Sequence, residues 1–358
     1  MDKVVYILGA GFSRPLGLPI SSDFIDKGKD MFFSYPTKYA HFQEVFKRIR
    51  ELAYIKTTYD SDLENIEEIL SILEMSNLLN NKDQEKVDFI QFIIDVIKYY
   101  TPIQEKGIDA HLFPNRMIKL GNQISNEFPL ISMLSNELYR NYAGFVLGCF
   151  NITLESVHME NGYRQISAKG IDKPTTTYSI ISLNYDLVLE NIAKYISQFI
   201  EPERKIVFTR PPENQIEGIP FLSKLHGSID SGNIIPPTWN KTLASNSYIQ
   251  PEWVKALDLL KTANHLRFIG YSLPITDAYV RYLFKAGMLT NEHLKSIDVI
   301  CLDNSNSIRD RYDNFIKLPT SKYHFYNANS IDYIESIYYA KKVEVGHANF
   351  IDSFNARN

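Results

Sequence analysis

Five apolar residues, Val4-Val5-Tyr6-Ile7-Leu8, open the pattern, and their β-branched content predicts a strand buried on both faces of a parallel sheet. Gly9 and Gly11 follow, one residue apart, where the backbone must turn sharply; Gly17 and Pro19 predict that the connection beyond is long and non-helical. Ser21-Ser22-Asp23 offers an N-cap for a helix running to about Phe33, which Pro36 ends. The period then changes. Between about Lys38 and Glu155 strand-like runs are almost absent, and apolar residues recur at helical spacing. Leu63, Ile66, Ile69, Leu70 and Leu73 form one stripe, and Val87, Ile90, Ile94 and Ile97 another. These stripes predict several antiparallel helices, broken near Pro102 and Pro114.

From about Thr175, strand-length apolar runs alternate with amphipathic stretches, the pattern of a parallel α/β sheet. Strands are predicted at Tyr178 to Leu183, Lys205 to Phe208, Phe221 to Leu225, His265 to Ile269, Ile297 to Leu302 and, at an edge, Tyr323 to Tyr326. Helices are predicted after Asp186 to about Ser197, at 252–262, from about Thr276 and at 330–341. The expected fold class is α/β: a Rossmann-like parallel sheet flanked by helices, with a large helical insertion between the first and second strands. Residues 1–35 and 170–345 would form the Rossmann-like domain, 36–169 the helical insertion and 346–358 a C-terminal tail. Five polar turns follow predicted strands: Gly9 to Ser13, Asn184 to Asp186, His226 to Ser228, Gly270 to Ser272 and Asp303 to Ser305. In an open parallel sheet that edge is where ligands bind.

Composition narrows the classes. A chain of 358 residues with net charge −4 and no long basic run carries no electrostatic footprint for nucleic acid. Cys149 and Cys301 are too few for a four-thiolate zinc site or a disulfide framework, so no metal is expected and a reducing compartment is. The chain opens without a charged-then-apolar leader, and no apolar run approaches bilayer-spanning length; the expectation is a cytoplasmic protein with no membrane partner. Glu64, Glu67 and Glu68 read as a solvated helix face or as contacts to the other domain.

The turns carry candidate chemistry. In Gly9-Ala10-Gly11-Phe12-Ser13-Arg14, backbone N–H groups, a hydroxyl and a guanidinium adjoin, an arrangement suited to a pyrophosphate or ribose. A tight turn with no ligand is the competing reading, and Arg14-Pro15 departs from the dinucleotide fingerprint, which wants a small residue opening a helix there. Arg14 itself suits either a phosphate or an ion pair. Asn184 and Asp186 alternate to the same side of a strand end, where an Asx turn competes with ligand binding. His226 follows a buried strand and precedes Gly227, so it is a candidate general base or hydroxyl acceptor, against a capping or core histidine.

Taken in order, Gly9-Ala10-Gly11-Phe12-Ser13, the Gly-x-Pro at 17–19, Asn184-x-Asp186, His226-Gly227 and Gly270-Tyr271-Ser272-Leu273 resemble the motifs of the sirtuin superfamily over about residues 1–30 and 175–330. The resemblance implies NAD as the ligand. Gly9, Ala10, Gly11, Phe12, Ser13 and Arg14 would lie at its phosphates and ribose, Asn184 and Asp186 at the nicotinamide ribose, and His226 would be the catalytic base with Asn184. Gly270, Tyr271 and Ser272, and Asp303 with Asn304, resemble the family's further NAD-binding loops.

Sirtuin deacylases carry a four-cysteine zinc module that this chain cannot supply. With Ser182-Leu183-Asn184-Tyr185-Asp186, Lys224-Leu225-His226-Gly227-Ser228 and Phe268-Ile269-Gly270-Tyr271-Ser272-Leu273-Pro274, the chain is similar to zinc-less bacterial sirtuin-like proteins of antiphage defence, which cleave NAD to nicotinamide and ADP-ribose. The resemblance implies a glycohydrolase restrained by homo-oligomerisation or by a partner such as a ring-forming ATPase. Three alternatives stand beside it: an NAD or ADP-ribose sensor without catalysis, a protein deacylase or ADP-ribosyltransferase, and an interaction protein acting through its helical segment.

Overall fold

The computed structural model describes residues 1–56, 65–80, 83–102, 136–158, 164–171, 173–198, 206–214, 216, 218–235 and 247–342. In chain order the elements begin with β1 (Asp2–Leu8), α1 (Ala10–Ser13), α2 (Phe24–Ser34), α3 (Phe42–Lys56), α4 (Ile66–Asn80), α5 (Asp83–Tyr100) and α6 (Glu137–Cys149). There follow β2 (Ile152–His158), β3 (Arg164–Gly170), β4 (Thr176–Ser182), α7 (Val188–Ser197), β5 (Leu222–Lys224), β6 (Gly227–Ser228), β7 (Asn233–Ile234) and α8 (Gln250–Thr262). The last elements are β8 (His265–Ile269), α9 (Ala278–Leu289), β9 (Ser296–Ile300), α10 (Ser307–Phe315), β10 (Tyr323–Tyr326) and α11 (Ser330–Lys342).

Six parallel strands make the main sheet, in the order β10-β9-β8-β1-β4-β5. β1 is central, and Val4 to Leu8 are at most 3% exposed. From β1 the chain builds outward through β4 and β5, then crosses over and builds the other way through β8, β9 and β10. The reversal leaves a crevice at the C-terminal end of β1, the place where such sheets bind ligands. Alternation along β1 splits the core. Val4, Tyr6 and Leu8 pack with residues such as Phe145 of α6, Ile192 of α7 and Phe92 of α5, whereas Val5 and Ile7 pack with Trp253 of α8, Phe284 of α9 and Tyr312 of α10.

The turns after β1 and β8 interlock backbone to backbone. Gly9 N–H donates to Ile269 O at 3.0 Å, and Gly11 N–H to Gly270 O at 2.9 Å. A Cβ on Gly9 would lie 2.6 Å from Gly270 O, and one on Gly11 2.8 Å from Gly270 Cα. Gly270 has φ +63°, and its Cβ would meet Phe12 N at 2.3 Å. Tyr142 Oη donates to Phe12 O, and Ser330 Oγ to Gly11 O at 2.8 Å, holding the first turn from α6 and α11.

Several expectations are corrected. The connection after Gly11 is helical: α1 runs into a 3₁₀ turn over Arg14–Leu16, with Pro15 at an early position where no N–H is needed and Gly17 at φ +94° ending it. Asp23 sits at the N-cap of α2, but its carboxylate turns back to Ile20 N–H instead of capping. On α5, Phe89, Phe92, Ile93 and Val96 are the most deeply buried and Val87 is exposed, because the large rings, with Phe92 4.6 Å from Phe42, set the helix rotation. β2 and β3 form an antiparallel hairpin where helix was expected, entered through Asn151 at φ 54°, a left-handed position that Asn tolerates. Residues 206–208 are not a strand; only Thr209 pairs, with Phe221, before the chain turns away at Pro211-Pro212. β9 ends at Ile300, short of Leu302. Leu63, Glu64, Pro114, Lys205 and the tail 346–358 lie outside the described residues. No helix among the described residues is long and apolar enough to cross a membrane.

The glycine contacts yield a prediction. Gly17→Ala, with nothing within 4 Å of its Cβ, should cost only the left-handed penalty of about 1–2 kcal/mol. Gly270→Ala adds a backbone overlap to that penalty and should cost well beyond it. Urea unfolding of both variants measures the difference; equal losses would contradict the interlock.

Candidate functional site

A cavity of about 770 Å³ opens at the C-terminal ends of β1, β4, β5 and β8. Its polar floor comes from Gly9 to Gly11, Ser13, Asn184, Asp186, His226 and Gly270 to Ser272. Its apolar wall comes from Leu18 and Phe24 and from the helical region, through Ile66 and Leu70 of α4 and Ile93 and Ile97 of α5.

Asn184 is buried, and its Nδ2 donates to Gly9 O at 2.9 Å and to Ser13 Oγ at 3.3 Å. Both donors are engaged, so Oδ1 is the amide atom left to a ligand, an acceptor for hydroxyls or water. Ser13 in turn hydrogen-bonds Asp186, whose Oδ1 accepts from Val188 N–H at 3.0 Å as an Asx-type start of α7. The expected Asx turn is thus present at Asp186, together with a place in the cavity wall. Burial pushes the Asp186 carboxyl above its usual range, and the Lys224 charge opposes that rise.

Lys224 lies beneath this turn and is 1% exposed. Its Nζ donates to Asp186 O, to Glu190 Oε1 at 3.0 Å and to Ser228 Oγ at 3.0 Å, tying the Asn184 to Asp186 turn to the turn that carries His226. Its backbone N–H donates to Glu252 Oε2 at 2.9 Å, while Arg210 Nη2 donates to the other oxygen at 2.9 Å.

His226 is buried, with Nδ1 3.1 Å from Leu183 O. A carbonyl only accepts, so Nδ1 carries the proton and Nε2 is the basic atom of the neutral ring. Nε2 lies 3.5 Å from Asp277 Oδ2, which also accepts from Tyr271 Oη at 3.1 Å. A proton taken at Nε2 would be stabilised by Asp277. Arg14 lines the mouth and pairs with Asp23 at 2.7 Å, the ion-pair reading of that residue. Cys301 is also in the wall, but burial pushes its thiol up to about 12, so it supplies no thiolate near neutral pH.

The structure brings together Gly9, Ala10, Gly11, Ser13, Arg14, Asn184, Asp186, His226, Gly270, Tyr271 and Ser272. It does not bring Phe12, Asp303 or Asn304 to the wall. The Phe12 ring packs in the core against Tyr142 and Phe145, at 5.2 Å from each. The Asp303 carboxylate caps α10 through Ile308 and Arg309 N–H at 3.0 and 2.8 Å, and Asn304 is exposed. Cys301, Leu302 and Ile308, the last of which donates its N–H to Asp303, line the cavity, whereas Asp303 itself does not. Sequence reasoning missed Asp277, Lys224 and Ser330. Asp277 sits where a helix was expected to begin and looks like a cap, yet it makes no side-chain cap hydrogen bond. Glu67 makes the expected contact to the α/β part, accepting from Ser21 and Thr276. Among the described residues no group of three His, Cys, Asp or Glu suits a metal ion.

Residues 178–320 match the family model of a SIR2-like domain. That span covers less than half of the chain; it holds Asn184, Asp186, His226 and the Gly270 turn, and starts after the Gly9 turn. Solved structures that resemble the chain include Sir2Tm bound to a propionylated peptide, at 13% identity and TM-score 0.36, covering 96% of this chain and 94% of that one. Another is a Sir2 enzyme structure on mechanism and regulation, at 12% identity and TM-score 0.38 with the same coverage. A third is a mutant Sir2 homologue complexed with 2′-O-acetyl ADP-ribose, at 11% identity and TM-score 0.38, covering 96% and 93%. No curated protein matches the sequence.

Asp186→Asn is expected to raise stability at neutral pH. Because the folded carboxyl has the higher pKa, the folded state binds its proton more tightly than the unfolded chain, so ionisation costs stability above the folded value. That cost fades as pH falls through the folded value toward the unfolded one, and the melting curves of variant and wild type should converge there. A variant less stable than wild type at neutral pH would contradict this.

Proposed function

We propose that the cavity binds NAD and that the chain cleaves it to nicotinamide and ADP-ribose. The observation that carries this reading is the convergence of Asn184, His226 and Gly9, Ala10, Gly11 and Ser13 of the first turn on one cavity at the sheet's switch point. The diphosphate would lie on the Gly9 to Ser13 turn near Arg14 and Ser272, and the nicotinamide ribose against Asn184, Asp186 and His226. The bond between C1′ and the pyridinium nitrogen breaks with its electron pair passing to nitrogen, which becomes neutral nicotinamide. C1′ gains oxocarbenium character, as in other glycosidic cleavages. Water held by Asn184 Oδ1 adds its oxygen to C1′ and gives its proton to His226 Nε2, where Asp277 balances the charge.

In this reading residues 1–35 and 170–345 form the NAD-binding domain and 36–169 the helical domain. Resemblance to zinc-less sirtuin-like defence proteins supports an antiphage role by NAD depletion in the cytoplasm. Restraint would come from self-association or from a partner such as a ring-forming ATPase.

Chromatography of NAD incubated with the purified chain tests the reaction. Nicotinamide and ADP-ribose should form in equal amounts, and His226→Ala and Asn184→Ala should each lower the rate by about 100-fold or more, the usual scale of a lost acid–base or positioning group. Binding without turnover in every sample, with the partner absent or present, would favour the sensor reading; no binding would overturn the assignment.

A further inference from the structure

Lys224 is 1% exposed and does not line the cavity. It ends β5, behind the cavity floor, and its ammonium meets three acceptors: Asp186 O, and Glu190 Oε1 and Ser228 Oγ, each at 3.0 Å. An ammonium has three N–H donors, so the protein itself fills the whole set. Whatever this charge does for a bound molecule, it does through its neighbours.

In front of it a series of side chains leads to the ligand side. Asn184 Nδ2 donates to Ser13 Oγ at 3.3 Å, and Ser13 in turn hydrogen-bonds the Asp186 carboxyl, favouring its ionised form. The Ser13 hydroxyl has one proton; with that proton directed to Asp186, its oxygen accepts from Asn184. Protonating Asp186 turns the acceptor into a donor and loosens the hydroxyl on which the Asn184 bond depends. Gly9 O, 2.9 Å from Nδ2, sets which end of the amide faces the cavity, and Ser13 is the second anchor that stops the amide pivoting about the first.

The groups around Asp186 act on its carboxyl in opposite senses. Burial raises its pKa; Lys224 from β5 opposes that rise, and Glu190 from α7 adds to it. Val188 N–H and Ser13 favour the anion, and Tyr142 of α6 lies near enough to feel the carboxyl charge, with a phenol that burial keeps neutral. His226 shares the cavity from the turn after β5.

We propose that Lys224 is a positioning residue for the reaction: its ammonium, behind the cavity floor, supplies the counter-charge to Asp186, the acceptor that anchors Ser13 and, through Ser13, the Asn184 amide. The inference rests on the hydrolysis reading above. It makes Asp186 the required intermediate, and it gives Lys224 and Glu190 opposite effects on the same step.

The test is the pH profile of nicotinamide release from NAD by the full chain, from about pH 5 to 9. Lys224→Met removes the counter-charge, so Asp186 takes up its proton at higher pH and the acid limb should begin at higher pH than in wild type. The loss of kcat should grow as pH falls, reaching on the order of 10- to 100-fold at the acid end, the scale of a misplaced reacting group. Glu190→Gln keeps shape and a hydrogen-bond acceptor while removing an anion; its limb should begin at lower pH. In an Asp186→Asn background, neither substitution should move the limb. A loss in Lys224→Met that is uniform across pH, with an unmoved limb in Glu190→Gln, would show a structural tie and overturn the inference. Limb movements that persist in the Asp186→Asn background would show the charges acting on His226 directly, and would overturn it too. If Lys224→Met does not fold, the half-exposed Glu190 decides alone: movement to lower pH that needs Asp186 supports the inference, and any other result overturns it. In each of these cases hydrolysis by wild type stands. A wild-type chain that leaves NAD intact overturns the hydrolysis reading and this inference with it.

Discussion

The close approach of two backbone turns governs this molecule. Gly9 and Gly11 after β1 meet Gly270 after β8 with no room for a Cβ on any of the three. Because β1 is central, this contact sets the depth of the crevice where strand order reverses. Asn184 then takes its position from Gly9 O, and Ser13 from Asn184 and Asp186. On the other side Tyr271, next to Gly270, orients Asp277, which faces His226. The glycines thus act on the site twice, as cavity wall and as the packing that places its side chains.

Around that contact the chain buries an unusual amount of charge. Lys224, Glu252 and Asp186 are all buried, and Lys224 sits between the turns bearing Asn184 and His226. Burial raises both Glu252 and Asp186 even with cations beside them, so the network is not there for stability alone. Its return is geometric: the buried ammonium adds a tie between two turns that also meet through the Tyr185 and His226 rings and the His226 Nδ1 bond to Leu183 O. The helical region contributes to the same end, since its core is continuous with the Tyr6 face of the sheet and Glu67 reaches the rim.

Much of this was legible in the sequence, for definite reasons. The run Val4 to Leu8 is short, apolar and ended by Gly9, and buried parallel strands leave few other ways to write it. The strand ends carrying Asn184, His226 and Gly270 follow directly, because the edge of an open parallel sheet is fixed once its strands are known. Other features depend on packing partners that spacing does not reveal. The rotation of α5 answers to Phe42 and Phe24, and the hairpin of β2 and β3 pairs only with itself. Asp277 and Lys224 could not be picked out from order alone, since one stands where helices begin and the other inside a strand; their meaning comes from His226 and Asp186 across the sheet edge. Phe12 and Asp303 show the converse, residues inside recognisable turns that serve the core and a helix end.

The most direct test of the account is a crystal structure of the chain with ADP-ribose. The diphosphate should rest on the Gly9 to Ser13 turn, and the terminal ribose should lie between Asn184 Oδ1 and His226 Nε2. ADP-ribose bound with that ribose away from His226, or absent from the cavity at saturating concentration, would contradict the claim that these turns form a dinucleotide site.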